Sequence, residues 1–294
     1  MRTAITRLTV LRPRDLEEAL AMLHDSLEGE RAVPLAGGTD LFVYLNAGTP
    51  SGQRFLDLSR VAALRGIRAG GGGLRIGGGA TFTEIREHPL VRRSFPMLAA
   101  AAAEVGALQI QNRATIAGNI ANASPAGDSL PVLLAHDAVV TLRSVRGARH
   151  VEFESLYRGY RDLALEPDEL IVDVHLPSPP RGMATMFRKV GTRRAQSISK
   201  VVFAGALQAD RDGTVAHVRL AYGSVAPTPV RAYQAERALL GRRPAAETAA
   251  AARKALSRDI APIDDIRSDR DYRMEIAGNL LAQFLRHVGT GNAR

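Results

Sequence analysis

The sequence predicts an α+β protein of two domains, on three observations. A proline-rich stretch, Pro177-Ser178-Pro179-Pro180-Arg181-Gly182, interrupts the 294-residue chain and marks a domain boundary. Beyond it, three strand patterns are followed by three helix patterns instead of alternating with them, the order expected of an α+β unit. Ahead of it, strand and helix patterns are punctuated by two glycine-bearing segments, Ala36-Gly37-Gly38-Thr39-Asp40 and Thr115-Ile116-Ala117-Gly118-Asn119. The expected organisation is a first domain over residues 1–177, in two α+β subdomains at about 1–58 and 59–177. A small second domain over 183–288, with a three-stranded antiparallel sheet and helices, and a mobile tail at 289–294 complete it. The length gives each domain enough chain to bury its own core.

Residues 8–11 read as extended, and Pro13 opens a helix whose apolar face is Leu16, Ala19, Leu20 and Leu23. Residues 32–35 form a strand that leads into the first glycine segment, and 55–58 form another. Alternation over 67–77 around the glycines at 70–73 is a hairpin signal. No G-x-G-x-x-G lies in register there, and the absence of any G-K-[ST] excludes a P-loop. Helices are expected at 83–87, 96–105 and 130–135, with strands at 138–145 and 169–176. In the second domain the strands are 183–190, 201–208 and 215–221, with a turn at Asp210-Arg211-Asp212-Gly213, and the helices are 230–240, 245–256 and 272–288. No internal repeat is present.

The composition, 46% hydrophobic and 23% charged, is that of an ordinary globular protein. The longest apolar stretch, 97–108, contains Glu104 and is too short to span a bilayer. The first seven residues have no apolar core of a signal peptide, so a cytoplasmic location is expected. A net charge of +9 raises the question of nucleic acid, but the arginines are interleaved with Asp and Glu and lack an aromatic stacking cluster. A face for an acidic protein partner or an anionic cofactor fits better. There is no cysteine, hence no disulfide, thiol chemistry or cysteine-held iron–sulfur cluster in this chain. The seven histidines are dispersed, without H-E-x-x-H or H-x-x-E-H, and predict no metal site. They read as packing or surface residues, and Asp264 with Asp265 as a helix-capping pair.

Only three of the 39 basic residues are lysines, and two of these, Lys189 and Lys200, fall in one segment. A compact point charge in a tight site explains lysine where the chain elsewhere uses arginine. The glycine segments carry the chemistry. Glycine at a turn removes Cβ atoms, so several N–H groups can face one concavity and hold an anion. A helix beginning near Asp40 would add its positive end. The run 115–131 is dominated by small and polar residues, with no charge before Asp128. As a ligand-wrapping loop it offers backbone amides, the Thr115 and Ser124 hydroxyls and the Asn119 and Asn122 amides, and Asp128 to accept from a ribose or ribityl hydroxyl. Two such segments converging on one ligand suit a diphosphate, the centre of a dinucleotide such as FAD.

These two segments, together with Lys189-Val190-Gly191-Thr192-Arg193-Arg194-Ala195-Gln196-Ser197-Ile198-Ser199-Lys200-Val201 and the Asp269-Arg270-Asp271-Tyr272-Arg273 entry to the last helix, resemble the FAD-binding medium subunit of the molybdenum hydroxylases. That group includes xanthine dehydrogenases and carbon monoxide dehydrogenase. The resemblance implies a two-subdomain FAD-binding domain of the vanillyl-alcohol-oxidase (PCMH) type followed by a small flavoprotein domain. It implies that Ala36, Gly37, Gly38, Thr39 and Asp40 with Thr115, Ile116, Ala117, Gly118 and Asn119 hold the diphosphate. Leu41, Ala114, Ser124, Asp128 and Ile171 would line the remaining cofactor, with Lys189 near the isoalloxazine as a flavin-tuning charge. The sequence departs from some relatives at Gln196, where they carry an acidic residue, and at Val105, where they stack an aromatic on the adenine.

The implied role is electron transfer. Electrons from a molybdenum cofactor in a large subunit cross [2Fe–2S] clusters in a small subunit, reduce FAD here, and pass to NAD⁺ or another acceptor. The cofactor supplies the redox chemistry and the protein positions and tunes it. Arg193 and Arg194 are candidates for a nucleotide phosphate or the small subunit. A stand-alone FAD oxidoreductase would need its own substrate pocket with a positioned acid, and an assembly subunit would not need both Gly/Thr/Asn sets intact.

Overall fold

The computed structural model describes residues 7–49, 52–193 and 195–289. The residues read as a signal-free N-terminus and a mobile tail lie outside these for the most part, as does Arg194.

The chain opens with β1 (Thr9–Leu11) and α1 (Leu16–Asp25), then β2 (Ala32–Leu35), α2 (Leu41–Ala47) and β3 (Arg54–Asp57). Helix α1 begins at Leu16 rather than at Pro13, because Asp15 takes the cap position and its carboxylate accepts from Glu18 N at 2.9 Å. The three strands form a parallel sheet in the order β1-β3-β2. The expected face Leu16, Ala19, Leu20 and Leu23 is buried against it, each large side chain contributing about 1.5–3 kcal/mol.

Next come β4 (Ile67–Gly70), β5 (Gly73–Gly77), α3 (Phe82–Glu87), α4 (Pro89–Ser94), α5 (Pro96–Glu104), α6 (Leu108–Gln111), α7 (Ile116–Asn122) and α8 (Leu130–Ala135). The β4–β5 turn places Gly71 and Gly72 at φ +62° and +74°, as two consecutive left-handed residues of a tight hairpin require. Then follow β6 (Val139–Ser144), β7 (Gly147–Glu152), a small hairpin of β8 (Tyr157–Gly159) and β9 (Asp162–Leu163), and β10 (Leu170–Pro177). The second sheet has the order β4-β5-β10-β6-β7 and its pairs are antiparallel.

Strand β10 is bulged between Ile171 and Asp173. Leu170 and Val172 therefore pack with α1 in the first core, while Ile171, Val174 and Leu176 belong to the second. One strand is thus a wall of two cores.

The third sheet corrects the sequence reading. It has four strands, β11 (Ala184–Val190), β12 (Val201–Ala209), β13 (Val215–Gly223) and β14 (Val230–Arg231), antiparallel in that order. Residues 230–231, expected to start a helix, instead pair with Ala221 and Tyr222, and α9 (Tyr233–Leu239) starts two residues later. It packs on this sheet together with α11 (Arg270–Gly289), and α10 (Ala246–Leu256) packs against both helices; Phe203 lies tilted against Tyr222 and Phe284, with ring centroids 5.1 and 5.6 Å away. All six residues of α8 are buried, and the helix packs against β12 and β13. Among the described residues no helix is long and apolar enough to cross a membrane.

Candidate functional site

The first glycine segment leaves the carboxyl end of β2, the end at which parallel sheets place their ligands. It runs directly into α2, whose cap position is Asp40. Phe42 N–H bonds Gly38 O at 3.0 Å, but the N–H groups of Gly37, Gly38, Thr39, Asp40 and Leu41 take no acceptor among the described residues. Five consecutive open amides on one turn make an anion cradle.

The second segment lies against the first. A β-carbon on Gly37 would overlap the Arg113 carbonyl, so the two backbones meet there because residue 37 is glycine. Here the sequence reading needs correction: residues 116–122 are helix α7, not a loop. The Thr115 hydroxyl caps it, accepting from Gly118 N at 3.1 Å. The remaining first-turn amides are taken up as well: Ile116 N by Ala80 O and Ala117 N by Gly78 O, each at 3.0 Å, and Asn119 N by Thr115 O. This segment therefore offers side chains and shape, while the open amides belong to residues 37–41.

Between the segments lies a cleft of about 640 Å³, a size that suits a cofactor. It brings together Ala36, Gly37, Gly38, Thr39, Asp40, Leu41, Ala114, Thr115, Gly118, Asn119, Ser124 and Asp128. A smaller hollow of about 170 Å³ shares Ala36, Gly37 and Thr115 with it and adds Ala117 and Ile171. Ile116 is fully buried and lines neither space, and neither does Lys189.

Lys189 instead stands behind Asp128. Its Nζ donates to Asp128 Oδ2 at 2.7 Å and to Glu104 O at 2.9 Å, with its side chain 5% exposed. Burial pushes Asp128 up to about 6, with the Lys189 charge working against that shift. Asp128 Oδ1 is buried and has no hydrogen-bond partner among the described residues. A buried carboxylate oxygen on a cleft wall suits a ligand hydroxyl, since leaving it unmet costs about 1–3 kcal/mol. Any influence of Lys189 on a bound group passes through Asp128.

Several lining residues escaped the sequence reading. Tyr44 sits on the cleft wall, its O–H donating to Asn122 Oδ1 at 2.9 Å. Arg65, Gly78 and Gly79 line the hollow. Gly78 carried a legible signal, in the triplet 77–79, because a side chain there would overlap the Ile171 carbonyl. Val105 lines the cleft with Gly106, whose carbonyl accepts from Gln196 N at 3.1 Å. Gln196 itself has a left-handed backbone (φ +53°). Arg193 donates to the Ala195 and Gln196 carbonyls.

Neither member of the expected capping pair takes that position: Asp269 caps α11, accepting from Tyr272 N at 2.7 Å, while Asp264 accepts from Arg270 N at 2.6 Å and Asp265 pairs with the buried Arg273. His136 packs edge-on against Phe95, and burial lowers it to about 4, keeping it neutral. Among the described residues no group of His, Asp and Glu is placed to hold a metal.

The residues present fit a dinucleotide cofactor: an open amide cradle at a glycine contact, and an unmet buried carboxylate oxygen further along the same cleft. Comparison with known proteins agrees. Residues 5–179 match the model of the FAD-binding domain in molybdopterin dehydrogenases, and residues 186–288 match the CO dehydrogenase flavoprotein C-terminal domain. The chain is 33% identical to the xanthine dehydrogenase FAD-binding subunit of Escherichia coli O157:H7, over 90% of each chain. It is 34% identical to the nicotinate dehydrogenase FAD-subunit of Eubacterium barkeri, over 78% of each. Carbon monoxide dehydrogenase from Hydrogenophaga pseudoflava has a chain that superposes with a TM-score of 0.89 at 31% identity, covering 94% of this chain and 95% of that one.

Proposed function

The chain belongs to the FAD-binding family of molybdopterin dehydrogenases, and on that premise we propose that it is the FAD-carrying medium subunit of a molybdenum hydroxylase. In this reading a small [2Fe–2S] subunit and a large molybdopterin subunit are its partners, in a cytoplasmic assembly. FAD, when bound, supplies a group that accepts electrons from the clusters and releases them to NAD⁺ or another acceptor. Residues 1–177 hold the cofactor and 183–288 form the flavoprotein domain that completes the site.

The observation that carries the reading is the row of open amides from Gly37 to Leu41 beside the Gly37–Arg113 contact. This chain's residues do the binding and the tuning. The amides hold the diphosphate without a full opposing charge, and Thr39 and Asn119 reach the same wall. Ala114 and Ile171 contribute apolar contact, as do Leu41 and Val105. Asp128 Oδ1 accepts a sugar-chain hydroxyl, and Lys189 holds that carboxylate in place and places a positive charge behind it.

The test is to purify the chain alone and with its co-expressed neighbours and record the visible spectrum. A yellow protein that carries FAD and elutes with an iron–sulfur chain and a molybdenum chain supports the proposal. A colourless chain that stays so with excess FAD sinks it.

A further inference from the structure

Asp40 occupies the cap position of α2 yet makes no capping bond. An Asp at such a position ordinarily turns its carboxylate onto the nearby helix amides. Here the carboxylate is drawn the other way. Asn122 Nδ2 donates to Asp40 Oδ1 at 3.2 Å, Tyr44 O–H donates to Asn122 Oδ1 at 2.9 Å, and Arg161 Nη1 donates to Tyr44 O at 3.0 Å. Every donor in this chain of bonds points the same way, from a guanidinium at one end to a carboxylate at the other. Aligned bonds of this kind polarise and strengthen one another.

The four residues come from different parts of the fold. Arg161 sits at the tip of the β8–β9 hairpin with a left-handed backbone (φ +55°), Tyr44 lies on α2, Asn122 ends α7, and Asp40 belongs to the amide turn. Packing around the Asp40 carboxyl raises its pKa, and the Arg161 charge opposes that shift through space.

The carboxylate is covalently tied to the turn that bears the open amides. Released, it would meet them as an intramolecular competitor, with the effective concentration of a tethered ligand. It would also set a negative charge against an incoming one. We infer that Arg161, Tyr44 and Asn122 act as a restraint that keeps the Asp40 carboxylate out of the Gly37–Leu41 cradle, leaving those amides to the diphosphate of the cofactor. They are positioning residues, acting through Asp40, and the inference rests on the proposed FAD site.

The test uses the full chain as wild type, Tyr44→Phe, Asp40→Ala and the double variant. FAD affinity is read by flavin fluorescence, and hydrogen exchange at residues 37–41 is read in the cofactor-free protein. Tyr44→Phe should weaken FAD about tenfold, the scale of one lost charge-linked hydrogen bond. In the Asp40→Ala background the same substitution should change nothing, because the competitor is gone. In the cofactor-free protein Tyr44→Phe should slow exchange of the 37–41 amides, and the double variant should not. An equal loss of affinity in both backgrounds would mean that Tyr44 merely supports the fold and would overturn the inference, as would unaltered exchange in Tyr44→Phe. If wild type takes up no FAD while the exchange pattern appears as stated, the FAD reading fails and the restraint stands.

Discussion

Lys189 Nζ lies 2.7 Å from Asp128 Oδ2, and through this bond the third sheet reaches into the wall of the cleft. The lysine comes from β11 and the aspartate from the segment between α7 and α8. A buried charge pair of this kind is weak evidence for stability but a strong constraint on what either partner can become.

Ligand affinity should therefore depend on pH through Asp128. Its pKa is raised to about 6, against about 3.9 in an unfolded chain. Between those values the folded state holds the proton more tightly, so this group's contribution to stability falls as pH rises from about 4 to about 6. FAD binding should move the opposite way, since a ligand hydroxyl prefers an ionised acceptor. Affinity should rise about tenfold as pH passes upward through about 6 and then level off. Asp128→Asn should flatten the profile, as FAD titrations at a series of pH values would read directly.

Replacing Lys189 by Met should be costly at neutral pH. The variant leaves a buried carboxylate without its counter-charge, a loss of about 3–5 kcal/mol in denaturant unfolding. The deficit should shrink at about pH 5, where Asp128 takes a proton. Arginine should not substitute, because the lysine reaches both Asp128 and Glu104 O from a nearly enclosed position. In any flavin-loaded Lys189→Met protein the midpoint potential should fall, because the Asp128 carboxylate on the cleft wall is no longer offset by its counter-charge; an unchanged potential would remove Lys189 from flavin tuning.

Gly37→Ala should separate the two glycine segments. The new methyl meets the Arg113 backbone carbonyl, which cannot swing aside as a flexible side chain can. A stability loss of about 2–3 kcal/mol is expected, together with loss of retained flavin after gel filtration. Gly72→Ala is the control. That glycine has positive φ but open space around it, so it should cost about 1–2 kcal/mol with cofactor content intact.

Arg231→Met should destabilise the fold without touching the cleft. Arg231 is buried, bonds Glu236 through two nitrogens at 2.8 Å each, and bonds Asp137 at 2.8 Å. Glu236 also receives Leu220 N at 2.7 Å. Asp137 keeps Arg219, but removing the guanidinium leaves the buried Glu236 carboxylate without its counter-charge, so a loss of about 3–5 kcal/mol is expected by thermal or denaturant melting. Flavin affinity of the folded fraction should be unchanged.

Local patterns in the sequence located what local physics decides. The α1 face and the Gly71–Gly72 hairpin turn are each written within a few consecutive residues. Helix α7 was hidden because Gly118 and the two asparagines are poor helix formers. What fixes it is tertiary, namely the Thr115 cap and the carbonyls of Gly78 and Ala80 that receive its first amides. Strand β14 was hidden because two residues directly after Pro229 carry no periodicity, and only pairing with Ala221 and Tyr222 defines it. At the site, glycine and threonine marked the cradle, while the Tyr44–Asn122 and Lys189–Asp128 contacts join residues too distant in sequence for any motif to record.

The bulge in β10 has a further consequence. Because Leu170 and Val172 serve one core while Ile171 and Val174 serve another, deleting or inserting a single residue in this strand would misdirect hydrophobic side chains on both of its sides at once. Lineages of this fold should vary in length on the exposed stretch that follows Pro177 and keep 170–177 at constant length, and a library of one-residue insertions should leave that strand as a gap among its survivors.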